Sequence, residues 1–363
     1  MRILHIVESS RGGCGTYLNE ILPFQIRDFS AANIRLIAPD RHLAQLEDVL
    51  PFGIIRPFRR PTRAVGLAFL VVKLVTTVWA FRPTIIHAHS TFAGAAARLL
   101  AIVLSRKITV IYCPHGWVFD TARSSNARRA MQAAERFLSH WCAAIVCISG
   151  AEKLAGEGAG IPPRKLQVIA NGLQILPATQ TAAAWQDSRL KVLFVGRLDR
   201  QKGVDVLIEA VQSLAQRVST RIVGESVLAS GLPRRDSDSV QFMGWLDRTA
   251  VASQMSACDV VVVPSRWEGF GLVAIEAMRA GKAVVASAVG GMKEIVIDGV
   301  TGKLTPPDDS AALRDTLGQL DPAACARLGE AGRKRFVQFY SIDRTHALLK
   351  RLYDSVTQRG ITA

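Results

Sequence analysis

Acids are in short supply in this chain. Its 363 residues hold 30 Asp and Glu against 45 Lys and Arg, a formal net charge of +15. Such an excess suits anionic partners. No nucleic-acid recognition motif accompanies the cations, so nucleic acid is set aside as a partner. Cysteine is sparse and scattered. The six residues (14, 113, 142, 147, 258, 325) form no Cys-x-x-Cys pair, and four of them lie in apolar runs. That excludes a zinc ribbon or disulfide framework and suits reduced, buried thiols. No Asp-x-Asp is placed as a metal clamp, since Asp236-Ser237-Asp238 falls in a polar stretch that reads as surface loop. Internal repeats and low-complexity tracts are missing. Met1–Glu8 reads as a first strand and not as a charged leader with a cleavable apolar run, so the expected location is cytoplasmic. Long hydrophobic runs are lacking except for Val65–Phe81, seventeen residues broken by Lys73, which is marginal for a bilayer span.

What is present is enough for two cores. The apolar fraction is 49%, and 21% charged residues argue against disorder. The length fits two domains of ordinary size. In the first half, Ile3–Val7, Ile34–Ala38, Thr84–His87, Ile108–Tyr112, Ala144–Ile148 and Leu166–Ile169 read as short buried strands with helical segments between them. This alternation predicts an α/β fold with a doubly wound parallel sheet. The polar, Pro/Ala/Thr-rich stretch 173–189 reads as a linker. A second alternation starts at Lys191 and runs to about Glu330. The tail Tyr340–Val356 reads as an amphipathic helix with Ile342, Leu348, Leu349, Leu352 and Tyr353 on one face.

Two segments of the second half carry chemistry. Cys258–Val263 is a β-branched run too short for a helix, hence a buried strand, and it leads into Pro264-Ser265-Arg266-Trp267-Glu268-Gly269-Phe270-Gly271 and then an apolar helical run. Glu268 therefore falls in the loop beyond the strand and Glu276, eight residues on, inside the helix. The carboxyl edge of an open parallel sheet is where ligands bind. The amides of Phe270, Gly271 and Leu272 are expected to face outward at the helix start, a place that favours an anion. The second segment is the strand Lys191–Gly196, followed by Arg197-Leu198-Asp199-Arg200-Gln201-Lys202-Gly203 and a helix from Val204 to Leu214. Arg197 and Lys202 at such a turn suit a diphosphate, the first as a fork and the second as a point charge. Taken alone, the pair also reads as solvated surface cations.

Gly196-Arg197-Leu198…Lys202-Gly203, then Pro264-Ser265…Glu268-Gly269-Phe270-Gly271…Glu276-Ala277-Met278, resembles the retaining glycosyltransferases of family 4, which have the GT-B fold. The likeness extends to Gly281-Lys282, Val289-Gly290-Gly291 and Asp298-Gly299-Val300-Thr301-Gly302. In the first half it takes in Gly12-Gly13-Cys14-Gly15-Thr16-Tyr17, His87-Ala88-His89-Ser90, His115-Gly116 and Asn171-Gly172. The resemblance implies two Rossmann-like domains facing across a cleft. Residues 1–172 are expected to bind the acceptor and 190–339 the nucleotide sugar, with the C-terminal helix 340–363 crossing back to the first domain. In one place the chain departs from the family: Ile222–Ser226 continues through a short loop where relatives often have Gly-x-Gly and a longer helix.

The resemblance also implies the reaction, transfer of a hexose from a UDP- or GDP-sugar with retention of configuration. Breaking the anomeric bond builds positive charge on the sugar and negative charge on the diphosphate, and a site must hold both. Arg197 and Lys202, with the amides after Glu268, would neutralise the phosphates in place of a metal, so neither metal nor cofactor is expected. Glu276 would bind the ribose and Glu268 the transferred sugar. No pair of carboxylates is placed for double displacement, and the resemblance implies a front-face reaction, in which the leaving phosphate helps deprotonate the incoming hydroxyl. His115 resembles the family histidine that faces the donor sugar, with a structural loop histidine as the lesser alternative. His87 and His89 read as packing or supporting residues. The turn Gly12, Gly13, Gly15 would border the acceptor and the donor phosphates, and Asp120 would line the acceptor side. The motifs Gly-Gly-x-Gly-Thr-Tyr and Pro-His-Gly-Trp resemble enzymes of bacterial surface and exopolysaccharide assembly, whose acceptors are saccharides, often polyprenyl-diphosphate-linked. Residues 51–140 hold thirteen Arg and Lys against two acids, and Pro51–Arg63 interleaves its cations with Phe52 and Phe58. This fits peripheral binding to the anionic inner face of the cytoplasmic membrane, each cation contributing on the order of 1 kcal/mol. Val65–Phe81 reads either as a core helix or as part of that face. The rival functions are a nucleotide-sugar epimerase on the same fold and a non-catalytic nucleotide-sugar-binding protein.

Overall fold

The computed structural model describes residues 1–10, 12–46, 50–51, 53–104, 108–121, 124–175, 181–225 and 236–361. The chain divides into two compact units, Met1–Gln174 with Ile342–Ala363, and Ile175–Ser341. Each is a Rossmann-like α/β domain built on a parallel sheet.

The first unit runs β1 (Ile3–Val7), α1 (Gly13–Phe29), β2 (Ile34–Pro39), β3 (Ile55–Phe58), α2 (Arg63–Phe81), β4 (Ile85–His89), α3 (Thr91–Val103), β5 (Thr109–Cys113), α4 (Ser125–Leu138), β6 (Ala144–Cys147), α5 (Gly150–Gly158) and β7 (Leu166–Val168). Its seven strands lie in the order β3-β2-β1-β4-β5-β6-β7, every pairing parallel. The winding reverses between β1 and β4, where a doubly wound sheet opens a crevice for a ligand. Strands β1, β4 and β6 are buried at every position because helices cover both faces. Strand β3 falls inside the stretch expected as a basic segment. It is an edge strand of four residues, and an edge tolerates the missing amide of Pro57. Phe52, Arg106, Lys107 and Arg123 of the basic region lie outside the described residues.

The C-terminal helix, Ile342–Ile361, packs on this first unit. The Ile342 amide donates to the Leu173 carbonyl and the Thr345 hydroxyl to the Ala170 carbonyl. His346 and Lys350 meet Asp28 at 2.9 and 3.2 Å, and Leu349 and Tyr353 are fully buried.

The second unit runs β8 (Leu190–Val195), α6 (Val204–Gln212), β9 (Val218–Val223), β10 (Val240–Gly244), α7 (Arg248–Ala257), β11 (Val260–Val263), α8 (Leu272–Arg279), β12 (Ala283–Ser287), α9 (Met292–Ile295), β13 (Lys303–Thr305), α10 (Ser310–Gly318) and α11 (Pro322–Phe339). Its strand order is β10-β9-β8-β11-β12-β13, so the reversal falls between β8 and β11. The carboxyl ends of those two strands release the Arg197–Gly203 and Pro264–Gly271 loops. Of the stretch expected as linker, 176–180 lies outside the described residues. Residues 181–189 pack on the second unit instead of hanging free. The Trp185 indole donates to Ser219 at 3.1 Å, and the Arg221 guanidinium stacks over its ring.

Candidate active site

In the second unit the two loops at the sheet reversal are locked together. Arg266 is the tie: its guanidinium donates to Asp205 at 2.7 and 2.9 Å, to Asp308 and to the Arg200 carbonyl, and its amide donates to the Gln201 carbonyl. Glycine lets the backbones close up. A Cβ on Gly203 (φ 64°) would collide with the Pro264 carbonyl, and one on Gly290 (φ 46°) with the Glu268 carbonyl. Only a residue without a side chain fits such an approach in the left-handed region. The motif glycines thus seat the loops against each other.

This seating brings together side chains 66 residues apart. Lys202 Nζ lies 2.5 Å from Glu268 Oε2, and the Ser265 hydroxyl donates to the same oxygen at 3.3 Å. Both members of the pair are mostly buried. Arg197 is more exposed, held by Gln201 at 2.7 Å and Asp199 at 3.2 Å. Gly271 (φ 111°) caps α8, no side chain caps this helix, and the Ala274 amide already donates to the Gly271 carbonyl, which leaves the amides of Leu272 and Val273 to water or an anion. The Phe270 ring is buried edge-on against Tyr340, so that residue can offer a ligand only its backbone. Glu276 stands half-buried in the second turn of α8. In the departing loop, the Glu225 carbonyl accepts from the Leu198 amide, and Ser226 lies outside the described residues. Asp236, Ser237 and Asp238 are exposed.

In the first unit the candidate site is a set of imidazoles. His89 ends β4, and His115 lies two residues past β5. His115 has φ 54° and Ser90 φ 70°, conformations uncommon outside glycine and a mark of loops held by their surroundings. His115 meets His89 at 3.1 Å, His89 meets His5 at 3.0 Å, and His5 meets the Gln25 amide oxygen at 2.7 Å. His87 meets the Tyr353 hydroxyl at 2.7 Å. Burial disfavours the charged imidazole. It lowers His5 and His115 to about 4 and holds His87 and His89 well below the ordinary value. His87 and His89, read from sequence as packing or supporting residues, are parts of this network.

Glu152 was not legible as a site residue, although Ser149-Gly150-Ala151-Glu152 has the spacing of a capping box. Its carboxylate accepts from the amides of Gly116 and Ile148, both at 2.6 Å, and so fixes the turn behind His115. Burial nonetheless raises it to about 7. The Gly-rich turn is shorter than expected. Gly12 (φ 69°) is the cap, while Gly13 and Gly15 already lie in α1. Asp120 is exposed and pairs with Arg128 at 3.6 Å, outside the histidine network.

By residue type and separation, His5, His87 and His89, or His89, Cys113 and His115, could hold a divalent cation. Two features oppose it. The ring nitrogens joining His5, His89 and His115 already bond one another, and burial pushes the Cys113 thiol well above its ordinary value, away from the thiolate a metal needs.

Comparison with known proteins gives the assignment. Residues 11–175 match the family model described as Glycosyltransferase Family 4, and residues 189–320 match that of Glycosyl transferases group 1. An uncharacterized 41.2 kDa protein in the cps region of Klebsiella pneumoniae is 28% identical over 85% of this chain and 87% of its own. A glycogen synthase of Mycobacterium tuberculosis is 30% identical over 81% of this chain and 75% of its own. Among solved structures, HepE of Anabaena in complex with UDP-glucose superposes with a TM-score of 0.78 at 23% identity, covering 98% of this chain and 100% of that one. Two Rossmann-like sheets, each with chemistry-bearing loops at its carboxyl edge, and these matches along the chain lead to one conclusion: the chain belongs to the glycosyltransferases of group 1 and family 4, enzymes of the GT-B type, and is by class a hexosyltransferase.

Proposed function

We propose that this enzyme transfers a hexose with retention from a uridine diphosphate sugar to a saccharide acceptor of cell-surface or exopolysaccharide assembly, without a metal or other cofactor. The Lys202–Glu268 pair, wedged between two glycine-seated loops at the sheet reversal, carries this reading. A cation and a carboxylate in contact suit a ligand that bears both a diphosphate and hydroxyls. The diphosphate takes Lys202 and Arg197, together with the first-turn amides of α8, and Glu268 turns to a sugar hydroxyl. Glu276 takes the ribose. The uridine choice is supported by HepE, which is described in complex with UDP and with UDP-glucose. In the front-face step the anomeric carbon–oxygen bond to the diphosphate breaks. The acceptor oxygen bonds to the same face, and its proton passes to the departing phosphate. In the first unit His115 binds the transferred sugar, and the Gly12–Gly15 turn borders the acceptor.

Calorimetry tests the cradle directly. UDP should bind in the presence of a chelator, and Lys202→Ala should weaken it at least ~10-fold, the loss of one charge-assisted contact. GDP binding more tightly than UDP, or UDP indifferent to Lys202→Ala, would overturn the reading.

The polyprenyl-linked acceptor and the membrane surface have separate support in α2. Leu70, Leu74 and Val78 bury one face of this helix in the core. The opposite face is also apolar: Phe69 is 41%, Val72 60% and Trp79 73% exposed. Arg59, Arg63 and Arg82 are exposed around it. By length and composition alone α2 could cross a bilayer, but its packing on β2, β3 and α3 instead suits a helix lying at the interface, where aromatic and basic residues are at home. The charge of this region is smaller than its sequence count. Arg98 is buried against Glu135 at 2.7 Å, and Arg60 and Arg63 share Glu8. Vesicle sedimentation tests the surface: binding should rise with anionic lipid and fall with salt, and binding blind to both would remove it.

A further inference from the structure

Four histidines of the first unit, His5, His87, His89 and His115, lie on one continuous hydrogen-bonded chain with a fixed sense. His115 Nε2 faces His89 Nδ1 at 3.1 Å, and His89 Nε2 faces His5 Nδ1 at 3.0 Å. His5 Nε2 faces the Gln25 amide oxygen at 2.7 Å. The Gln25 amide nitrogen donates to the Tyr353 hydroxyl at 3.1 Å, and that hydroxyl lies 2.7 Å from His87 Nδ1. Strands β1 and β4 hold His5 beside His87 in register, while Gln25 comes from α1 and Tyr353 from the C-terminal helix.

An amide oxygen can only accept, so His5 Nε2 carries the proton facing it. A neutral imidazole has one N–H, so His5 Nδ1 is bare and must accept from His89 Nε2–H. His89 Nδ1 is then bare and accepts from His115 Nε2–H. The single proton on each ring is thereby assigned by the ring before it, back to one amide. On the other side Tyr353, accepting from Gln25, has its own proton left for His87 Nδ1. Burial keeps the imidazoles neutral, so each of these rings carries a single proton. The Tyr17 ring, edge-on to His115 at 5.1 Å and 5.5 Å from His89, holds the two rings in place.

We propose that Gln25, anchored by Tyr353, is a positioning residue that fixes His115 in the Nε2–H tautomer, so that His115 presents Nδ1 as a hydrogen-bond acceptor for a substrate hydroxyl. The tautomer follows from the chain alone. Its use in transfer rests on the reading above, in which His115 binds the sugar. The C-terminal helix is thereby coupled to the site through a hydroxyl and an amide, with no charge involved.

Long-range proton–nitrogen correlation spectra of the 15N-histidine-labelled full chain at neutral pH report the tautomer of each ring. His5, His89 and His115 are expected to carry their protons on Nε2. In Gln25→Met, which keeps volume and removes the amide, His115 should move to a mixture of tautomers, with kcat down about tenfold and nucleotide KM unchanged. Gln25→Glu keeps an acceptor opposite His5 and should restore the Nε2–H form of His115, a rescue that a merely structural role would not give. His115 protonated on Nδ1 in the unmodified protein overturns the proposal whatever the variants do. A His115 tautomer unmoved in Gln25→Met does so as well. A tautomer that follows Gln25 while kcat stays constant removes His115 from the transfer step and leaves the chain standing.

Discussion

All seven histidines of the protein lie in the first unit and none in the second. The two units share an architecture and solve the problem of holding polar groups in opposite ways. The first uses neutral rings, buried and joined side chain to side chain, with an acid behind them that burial raises to about 7. The second uses full charges, Lys202 with Glu268 and Arg266 with Asp205 and Asp308, and positions them by pressing backbone on backbone through glycines. A diphosphate ligand brings charge, and a site made of cations and an uncapped helix start can meet it. Sugar and acceptor hydroxyls bring none, and neutral donors and acceptors of fixed sense suit them better.

The largest effect that would sharpen this contrast is steric. Gly203→Ala would drive a methyl group into the Pro264 carbonyl in a left-handed conformation, and should destabilise the second unit by about 3–4 kcal/mol. Hydrogen exchange resolved by segment would show the second unit loosened and the first unchanged. An equal loss in both would break the distinction.

Next is catalysis. Lys202→Ala or Glu268→Ala should lower turnover at least ~10²-fold, because each is asked to stabilise developing charge. Near-normal kcat in both variants would remove them from the reaction.

Acid should separate the units more gently. His5 and His115 titrate at about 4 in the folded chain, and His87 and His89 also lie below the ordinary 6.5. The unfolded chain therefore takes up protons first, so these four contribute stability that is complete above 6.5 and declines as pH falls toward 4. Glu152, raised to about 7, works the other way: its contribution is present below its ordinary 4.5 and fades as pH rises to 7. Four groups outweigh one, so the first unit should weaken from pH 6.5 to 4. In the second unit Asp187 and Asp205 lie below the ordinary carboxylate value, and their contribution fades only at lower pH. Exchange rates rising first in the second unit would contradict this.

The smallest expected effect concerns the face of α2. Trp79→Ser should change stability by less than about 0.5 kcal/mol, as for an exposed residue, while cutting sedimentation with anionic vesicles severalfold. A large loss of stability would mean that this face is covered within the protein.

How much was legible follows the range of the interactions. The strands of the first sheet were read within one or two residues, because β-branched runs between turn residues announce buried parallel strands. Strand β3 escaped because an edge strand needs no apolar run and tolerates Pro57. The glycines of the second unit were readable as motif, but their purpose was not. Gly290 is 22 residues from the Glu268 carbonyl it admits, and nothing local predicts that approach. Arg266 stood in the motif with no role attached; the three partners of its guanidinium, Asp205, Asp308 and the Arg200 carbonyl, come from elsewhere in the chain.

The sequence by itself determined the α/β class, the succession of strands and helices, and which loops bear the Arg, Lys, Glu and His residues. Those depend on local periodicity and on turn chemistry, which are properties of neighbouring residues. Only the tertiary structure decided that Lys202 meets Glu268, and that His115, His89 and His5 stand in one hydrogen-bonded row that ends on the amide oxygen of Gln25, itself held by Tyr353 near the far end of the chain. Such pairings are set by strand order and register. A parallel sheet puts the carboxyl ends of strands distant in sequence side by side, and there a hydrogen bond reaches only about 3 Å.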